Sequence, residues 1–301
     1  MGIRPPPGER SPAAVLSFGV VNLDKPPGPS AHQVSAWIRD LVGVEKAAHA
    51  GTLDPKVTGC LPVLTGTATR IAPALLEGFK EYVAVLELHD DPPRILPDVI
   101  EAFTGEIYQK PPKKSAVARR LRTRTVYDLD VLDVDGRQVL LRIRCESGTY
   151  IRKLCHDIGR ALGTNAHMGH LRRSATTPFD DTDLVTLHDL ADAVAWLRDT
   201  DDTEPPDAPA DALRAAVQPA ERALTHLPRL TIADSAAHEV ATGAPVYAPG
   251  VIDTTALPTP PADGALVACY TAGGTAVCLG RLVGDPDADA GVVVALERVL
   301  V

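Results

Sequence analysis

The sequence predicts an α+β protein, with a large domain that mixes strands and helices and a small β-rich domain at the carboxyl end. Residues 80–89 alternate apolar and polar side chains as a half-buried strand does, whereas residues 150–162 carry apolar side chains at helical spacing. From Leu227 onward, short apolar runs are separated by Gly and Pro, which is typical of small β domains. The length of 301 residues also favours two domains.

The first sixth of the chain carries clear start and stop signals. Residues 1–17 are rich in Pro and Gly and lack periodicity, so we expect an extended arm. Residues 18–23 form a short buried strand, which the following prolines end. Ser30 is a suitable N-cap for a helix that Gly43 ends. Residues 49–59 predict a tightly folded loop, the kind of segment in which chemistry tends to lie.

The middle of the chain alternates helices and strands. The Asp135-Gly136 dipeptide is a strong hairpin signal between two strands. The predicted elements, in chain order, are a helix over residues 69–76, a strand over 80–89, a helix over 97–104, hairpin strands over 126–134 and 139–145, and helices over 150–162 and 187–197.

The last third begins with a segment that cannot form a core. Residues 199–212 consist largely of Asp, Pro and Ala, so we expect a mobile surface insertion there. The β-rich domain follows from residue 227, and its clearest apolar runs lie at residues 265–270 and 276–283.

The charge distribution is uneven. The net charge of −9 is unusual for a protein that binds nucleic acid, because neutralising phosphates takes clustered Lys and Arg. Residues 110–124, however, contain seven basic residues and no acidic one, which makes them a local positive segment. With 27 Asp and 12 Glu against 8 Lys, the surface is suited to concentrated salt, and we expect a halophilic, salt-adapted source.

Several function classes have no support in the sequence. No apolar run approaches the ~20 residues of a membrane helix, and no signal segment opens the chain, so we expect a soluble cytoplasmic protein. Five cysteines without a C-x-x-C pair predict buried, reduced thiols. There is no phosphate-binding Gly-Lys-Ser/Thr loop and no G-x-S-x-G elbow. Cys155, His156, His167 and His170 fit no standard zinc spacing, so no metal is expected.

Six motif blocks, taken together in this order, resemble the TruB/dyskerin family of pseudouridine synthases, in particular its archaeal branch, which provides the catalytic subunit of box H/ACA ribonucleoproteins. The blocks lie at residues 19–29 (GVVNLDKPPGP), 49–62 (HAGTLDPKVTGCLP), 80–82 (KEY), 107–124 (IYQKPPKKSAVARRLRTR), 147–159 (SGTYIRKLCHDIG) and 166–173 (AHMGHLRR).

The resemblance implies a domain arrangement. After the arm of residues 1–17, residues 18–226 form the catalytic domain, a mixed, mostly antiparallel sheet with flanking helices and a cleft between its halves. Residues 227–301 are similar to the PUA domain, an RNA-binding module. The arm is short for the archaeal branch, so we expect reduced contact between it and the PUA domain.

The resemblance also implies the catalytic residues. Asp54, in the Gly-Thr-Leu-Asp-Pro motif, is the nucleophile, and a carboxylate suits this chemistry because it can attack a carbon or act as a base. Arg152 corresponds to the arginine that pairs with this carboxylate and orients it. Tyr82 corresponds to the aromatic residue that lies against the flipped base and takes part in proton transfer. Whether the carboxylate attacks the base or the ribose stays open.

Further residues are implied in RNA binding. The resemblance also implies that Lys25 and Pro26 support the catalytic loop. The reaction that it implies requires no cofactor. The residues implied in substrate binding are His49, which helps to displace the nucleotide, the pocket residues Tyr150 and Leu171, and the phosphate-contacting residues Lys80, Lys110, Lys113, Lys114, Arg119 and Arg120.

The substrate remains open between two alternatives. The enzyme acts on uridine-55 of the tRNA TΨC arm, or on rRNA as directed by an H/ACA guide RNA, or on both. Guide-directed modification of rRNA implies small partner proteins, namely the glycine-arginine-rich, Nop-type and ribosomal-protein-like components of the H/ACA particle. The competing hypothesis is a non-catalytic RNA-binding scaffold, which would have no need for Asp54, Tyr82 and Arg152 together.

Overall fold

The computed structural model describes residues 2–111, 118, 120–199, 207–258 and 262–301. Within them the chain forms two sheets, a large one with flanking helices and a small one near the carboxyl end, so the predicted α+β class is confirmed. The large sheet is mostly antiparallel, and its one parallel pairing between named strands joins Thr58 and Gly59 to Arg172 and Arg173.

In the described residues, ten strands form the large sheet in the order β10-β1-β3-β8-β4-β7-β6-β5, with β2 paired to β3 and β9 to β8. These strands are β1 Phe18–Lys25, β2 Ala47–His49, β3 Thr58–Gly66, β4 Phe79–Leu88, β5 Gly105–Gln109, β6 Arg122–Asp135, β7 Gln138–Glu146, β8 Ala166–Thr176, β9 Phe179–Asp180 and β10 Gln218–Pro219.

Seven α-helices lie in the described residues, and most of them start and stop where the sequence predicts. The helix after Ser30 has a capping box and ends at Gly43, which adopts the left-handed conformation. The helices are α1 Pro12–Ser17, α2 Ala31–Val42, α3 Leu96–Ala102, α4 Ile151–Ala161, α5 Leu187–Arg198, α6 Asp207–Ala216 and α7 Asp234–Ala241. The helix predicted over residues 69–76 is a 3-10 helix, Thr67–Leu75.

Two hydrophobic cores flank the middle of the large sheet. One core joins α2 and α5 to β1 and β3, and the other joins α3 and α4 to β4, β6 and β7. Tyr82 and Leu171 are partly buried and pack against both cores. The seam between the two halves of the domain therefore runs past these two side chains.

The small sheet encloses a core of its own. Its strands follow the order β12-β16-β15-β14-β11-β13, and α7 packs against them. The apolar runs predicted at residues 265–270 and 276–283 are confirmed as strands. The six strands are β11 Arg229–Ile232, β12 Val246–Tyr247, β13 Val251–Asp253, β14 Leu266–Tyr270, β15 Ala276–Leu282 and β16 Val292–Val299.

The prediction of an extended arm over residues 1–17 is wrong. The arm contains a 3-10 helix, Pro7–Glu9, and then α1. Ser11 accepts a hydrogen bond from the amide of Ala14, and Pro12 occupies the first helical position, where its missing N–H costs nothing. Pro12 therefore favours the start of a helix at this point rather than an extended chain.

The arm contacts the carboxyl-terminal domain, and the expectation that this contact is reduced relative to the archaeal branch stays a prediction. Thr275 donates a hydrogen bond to the carbonyl of Arg4 (3.2 Å), and Arg4 donates to the carbonyl of Leu300. The arm is also held by the segment before this domain, because the fully buried Arg10 forms a two-pronged ion pair with Glu221, at 2.8 and 2.6 Å. Long-range side-chain contacts of this kind leave no local pattern in the sequence, so composition could not predict them.

The mobile insertion predicted over residues 199–212 is wrong from residue 207 onward, while residues 200–206 lie outside the described residues. Residues 207–216 form α6, because Ala210, Leu213 and Ala216 share a buried face that packs near α5.

The strands β3 and β8 were not predicted from the sequence. Most of β3 is buried on both faces, so its apolar run lacks the alternation that marks a half-buried strand.

Candidate active site

Asp54 lies in the loop between β2 and β3, and its carboxylate forms an ion pair with the guanidinium of Arg152. Arg152 is the second residue of α4, which belongs to the other half of the domain. The side chains of Asp54 and Arg152 are 55% and 56% exposed, so the pair lies on an open surface that a nucleotide can reach. The fold thus brings together two of the predicted catalytic residues.

Lys25 holds the loop that carries Asp54. Its side chain is fully buried, and its Nζ donates to the carbonyls of Pro26 (3.1 Å), Pro55 (3.0 Å) and Val57 (2.8 Å). Burial lowers the pKa of Lys25, while the nearby Asp54 carboxylate acts in the opposite direction. One cation therefore ties the carbonyls of Pro55 and Val57, in the loop that carries Asp54, to the carbonyl of Pro26 after β1.

Tyr82 and Arg173 lie opposite each other on the antiparallel strands β4 and β8. Arg173 is buried, and its side chain donates to the carbonyls of Cys60 (2.8 Å) and Gly51 (3.5 Å). Burial raises the pKa of Tyr82, and the guanidinium of Arg173 acts against that rise. Arg173 closes the 166–173 block but was not among the predicted site residues.

The strand that follows the loop approaches β8 closely at Gly59. A Cβ added there would lie 2.3 Å from the carbonyl oxygen of Arg173, and the φ of Gly59 is +95°. Any other residue would push β3 away from β8. Gly59 therefore fixes how near the Asp54 loop comes to Arg173 and its neighbour Tyr82.

His49 is half-buried at the end of β2. Its ring lies edge-on to the exposed ring of His32, with centroids 4.8 Å apart. Burial lowers the pKa of His49, as do the charges of His32 and Arg173. Its Nδ1 is buried and has no hydrogen-bond partner within the described part of the chain. These effects favour the neutral imidazole, which suits stacking or hydrogen bonding.

Tyr150 and Leu171 lie near the same seam. Tyr150 is the N-cap of α4, two residues before Arg152, and is half-buried. Leu171 packs between the two cores beside Tyr82. Both positions are compatible with the lining of a shallow pocket.

The basic residues do not all lie where phosphate contacts require. Lys80 is buried and donates from its Nζ to the carbonyl of Leu75 (3.2 Å), so the phosphate contact predicted for Lys80 does not fit the structure. Burial lowers the pKa of Lys80 to about 8. Lys110 and Arg120 are exposed, as phosphate binding requires. The predictions for Lys113, Lys114 and Arg119 lie outside the described residues.

The Asp54–Arg152 pair is open to solvent, because both side chains are more than half exposed. A cavity of about 590 Å³ lies between the arm and the small sheet, lined in part by Pro7, Arg222 and Tyr270, and none of the predicted site residues lines it. Among the described residues, no three His, Cys, Asp or Glu side chains are grouped to hold a metal ion. No helix in the described ranges has the length and apolar character needed to cross a membrane.

Comparison with known proteins gives a consistent result. The family described as "TruB family pseudouridylate synthase (N terminal domain)" matches residues 39–95 and 92–151, and the "tRNA pseudouridylate synthase B C-terminal domain" matches residues 152–225. A protein named "Probable tRNA pseudouridine synthase B" from Haloarcula marismortui is 60% identical over 305 residues, covering 100% of this chain and 94% of that protein. A protein of the same name from Methanosarcina acetivorans is 47% identical over 300 residues, covering 98% of this chain and 86% of that protein.

Several solved structures match nearly the whole chain. A Cbf5-Nop10-Gar1 complex contains a chain that is 44% identical with a TM-score of 0.88, and the match covers 99% of this chain and 90% of that one. An H/ACA ribonucleoprotein bound to a substrate RNA containing 2′-deoxyuridine contains a chain that is 42% identical with a TM-score of 0.87, with the same coverage.

Proposed function

The chain belongs to the TruB family of pseudouridylate synthases, and we propose that Asp54 is the nucleophile with which it isomerises uridine to pseudouridine in RNA. The enzyme breaks the C1′–N1 bond, turns the uracil and forms a C1′–C5 bond; C5 loses a proton and N1 gains one. The isomerisation is redox neutral and consumes no water. Positioned side chains can therefore supply what the reaction needs.

The ion pair between Arg152 and Asp54 carries this proposal. A carboxylate that only capped a turn would not need an arginine from the opposite half of the domain. Arg152 orients the carboxylate by a charge-assisted hydrogen bond, while 55% of the Asp54 side chain stays exposed. The exposure of both side chains supports a role toward a bound nucleotide rather than toward the core.

The surrounding residues have complementary roles. Tyr82 supports the flipped uracil by stacking, which is worth ~1–3 kcal/mol per base, and Leu171 and Tyr150 line the same pocket. His49 helps to displace the target nucleotide as a neutral ring. Lys25 and Pro26 hold the catalytic loop, as the three carbonyl contacts of Lys25 support.

RNA binding extends beyond the cleft. Lys110 and Arg120 contact phosphates, which position the RNA without reading its sequence. We assign residues 18–226 to the catalytic domain and residues 227–301 to a PUA-type RNA-binding domain, because the small sheet has a core of its own. The enzyme works in the cytoplasm.

Two kinds of RNA suit this enzyme. The relatives named tRNA pseudouridine synthase B favour tRNA, at uridine-55 of the TΨC arm. The likeness to the Cbf5-Nop10-Gar1 complex and to the substrate-bound H/ACA particle favours a second function, guide-directed modification of rRNA. In that role the chain assembles with a guide RNA and with small proteins of the Nop10 and Gar1 kinds. The acidic composition, together with the 60% identical relative from Haloarcula marismortui, supports work in concentrated salt.

Tritium release from C5-labelled uridine tests the proposal, because pseudouridine formation loses the C5 hydrogen. Wild type, Asp54→Asn and the control Asp40→Asn are compared in molar salt, on tRNA and on a guide-matched rRNA fragment with partners supplied. Asp40 is a suitable control since it is an exposed carboxylate paired with Arg39 on α2. We expect release by wild type and the control, and none by Asp54→Asn. Wild-type-like release by Asp54→Asn would overturn the assignment of the nucleophile.

A further inference from the structure

Gln109 is a buried amide whose two hydrogen bonds both go to the backbone of one residue near the cleft. Only 2% of Gln109 is exposed. Its Oε1 accepts from the amide of Tyr150 (2.9 Å), and its Nε2 donates to the carbonyl of Tyr150 (3.2 Å). Tyr150 is the N-cap of α4, and Arg152 follows two residues later. The side-chain amide of Gln109 therefore binds the backbone at the start of α4, two residues before Arg152.

The start of α4 lacks its usual internal support. The N-cap has no side-chain cap bond, and the Tyr150 carbonyl accepts from Lys153 and Leu154, as the first turn requires. Gln109 therefore satisfies the N-cap amide from a different strand. Since a buried polar group that loses its partner costs about 1–3 kcal/mol, the two groups constrain each other.

The segment before α4 has few other anchors. Residues 147–150, between β7 and α4, are half-buried or exposed, so core packing does not fix them. Thr149 bonds to the carbonyl of Glu146 from both its amide (3.2 Å) and its hydroxyl (2.7 Å), which closes the turn locally. Gln109, as the last residue of β5, ties this turn to the neighbouring strands.

We propose that Gln109 is a positioning residue for the isomerisation, which sets the first turn of α4 so that Arg152 meets Asp54 across the cleft. The inference rests on the roles proposed above for Asp54 and Arg152. The physical basis is the length of the Arg152 side chain. Because this side chain is more than half exposed and not held by packing, the position of its backbone determines where the guanidinium can reach. A shift of about 1 Å at such a site can cost roughly a hundredfold in rate.

The same residue joins the cleft to the basic segment. Gln109 pairs with Arg122 in the β5–β6 ladder and is followed directly by Lys110. The other end of this segment holds the same turn, because Arg124 forms an ion pair with Glu146 (3.0 Å). An RNA that binds Lys110 therefore acts on a strand end that already holds the backbone of Tyr150.

The test compares Gln109→Met, which keeps the side-chain length but removes the amide, with Gln109→Glu, which keeps the acceptor for the Tyr150 amide. Gln138→Met is the control, since Gln138 is exposed on β7 and donates to Glu87. Each variant is measured for tritium release, giving kcat and KM for the RNA, and for thermal unfolding. The change Gln109→Met is also made in an Arg152→Ala background.

We expect Gln109→Met to lower kcat at least about tenfold with little change in KM, and Gln109→Glu to lower it less. In the Arg152→Ala background the same change should lower kcat less than about twofold, because the residue acts through Arg152. An equal loss in both backgrounds, or wild-type kcat in a folded Gln109→Met, would overturn the inference. If Gln109→Met does not fold, Gln109→Glu is measured in the wild-type and Arg152→Ala backgrounds instead. An equal loss of kcat in both backgrounds would then overturn the inference. Wild-type activity of Arg152→Ala would instead refute the proposed role of Arg152.

Discussion

Arg152 and Asp54 form an ion pair across the cleft although 98 positions separate them in the chain. Arg152 is held by α4 and its core, whereas Asp54 is held by a loop that Lys25 anchors from below. Because both side chains are more than half exposed, water screens the pair, and exposed pairs are worth at most about 1 kcal/mol of stability. In the proposed function, the pair therefore serves orientation more than folding.

The first prediction separates these two effects. Arg152→Ala should leave the thermal unfolding midpoint near that of wild type, since an exposed pair adds little stability. The same change should lower kcat for tritium release by roughly a hundredfold or more, as the loss of one oriented donor does in other enzymes. Arg39→Ala, which breaks the exposed pair with Asp40, is the matched control and should keep full activity. An active Arg152→Ala would contradict the role given to this arginine.

The second prediction concerns Lys25. Lys25→Met removes a donor from three backbone carbonyls, so the free energy of unfolding should fall by about 1–3 kcal/mol and kcat should fall with it. Urea unfolding in molar salt and tritium release measure the two effects. Lys46→Met, at an exposed lysine, should change neither. Equal behaviour of the two variants would show that the loop keeps its place without Lys25.

The third prediction concerns the arm. Arg10→Met leaves the carboxylate of Glu221 buried without its partner, and breaking a buried pair in this way costs about 3–5 kcal/mol. Denaturant unfolding should report this loss, and limited proteolysis should cut the arm sooner than in wild type. The exposed pair of Arg39 and Asp40 again provides the comparison, because Arg39→Met should cost almost nothing. Equal stability of the two variants would mean that the arm is not held by Arg10.

The fourth prediction concerns pH. Folding lowers the pKa of Lys80 from 10.5 to about 8 through burial, so between these values the unfolded chain binds more protons at this residue. The contribution of Lys80 to stability therefore rises with pH through this window, and below about pH 8 its burial penalty is complete. From about pH 7.5 to 10.5, the unfolding free energy of wild type minus that of Lys80→Met should rise by up to about 3 kcal/mol. A difference that stays flat would place the Lys80 amine in water.

Most local structure could be predicted from the sequence because it depends on short-range signals. The Ser30 cap, the Gly43 stop and the Asp135-Gly136 hairpin act over a few residues, and all three are present in the structure. The family could likewise be predicted, since six motif blocks in order leave little room for chance. The motif that contains Asp54 came with those blocks.

Only the tertiary structure decided which groups meet. The burial of Lys80, the pairing of Arg10 with Glu221 and the contact of Gln109 with Tyr150 join residues through folding, and no local pattern encodes them. For the same reason Arg173 could not be distinguished from a surface arginine until the structure showed it buried and bonded to the carbonyls of Gly51 and Cys60. Sequence patterns report what each residue does to its neighbours in the chain, whereas burial and partner choice depend on residues that approach from far along it.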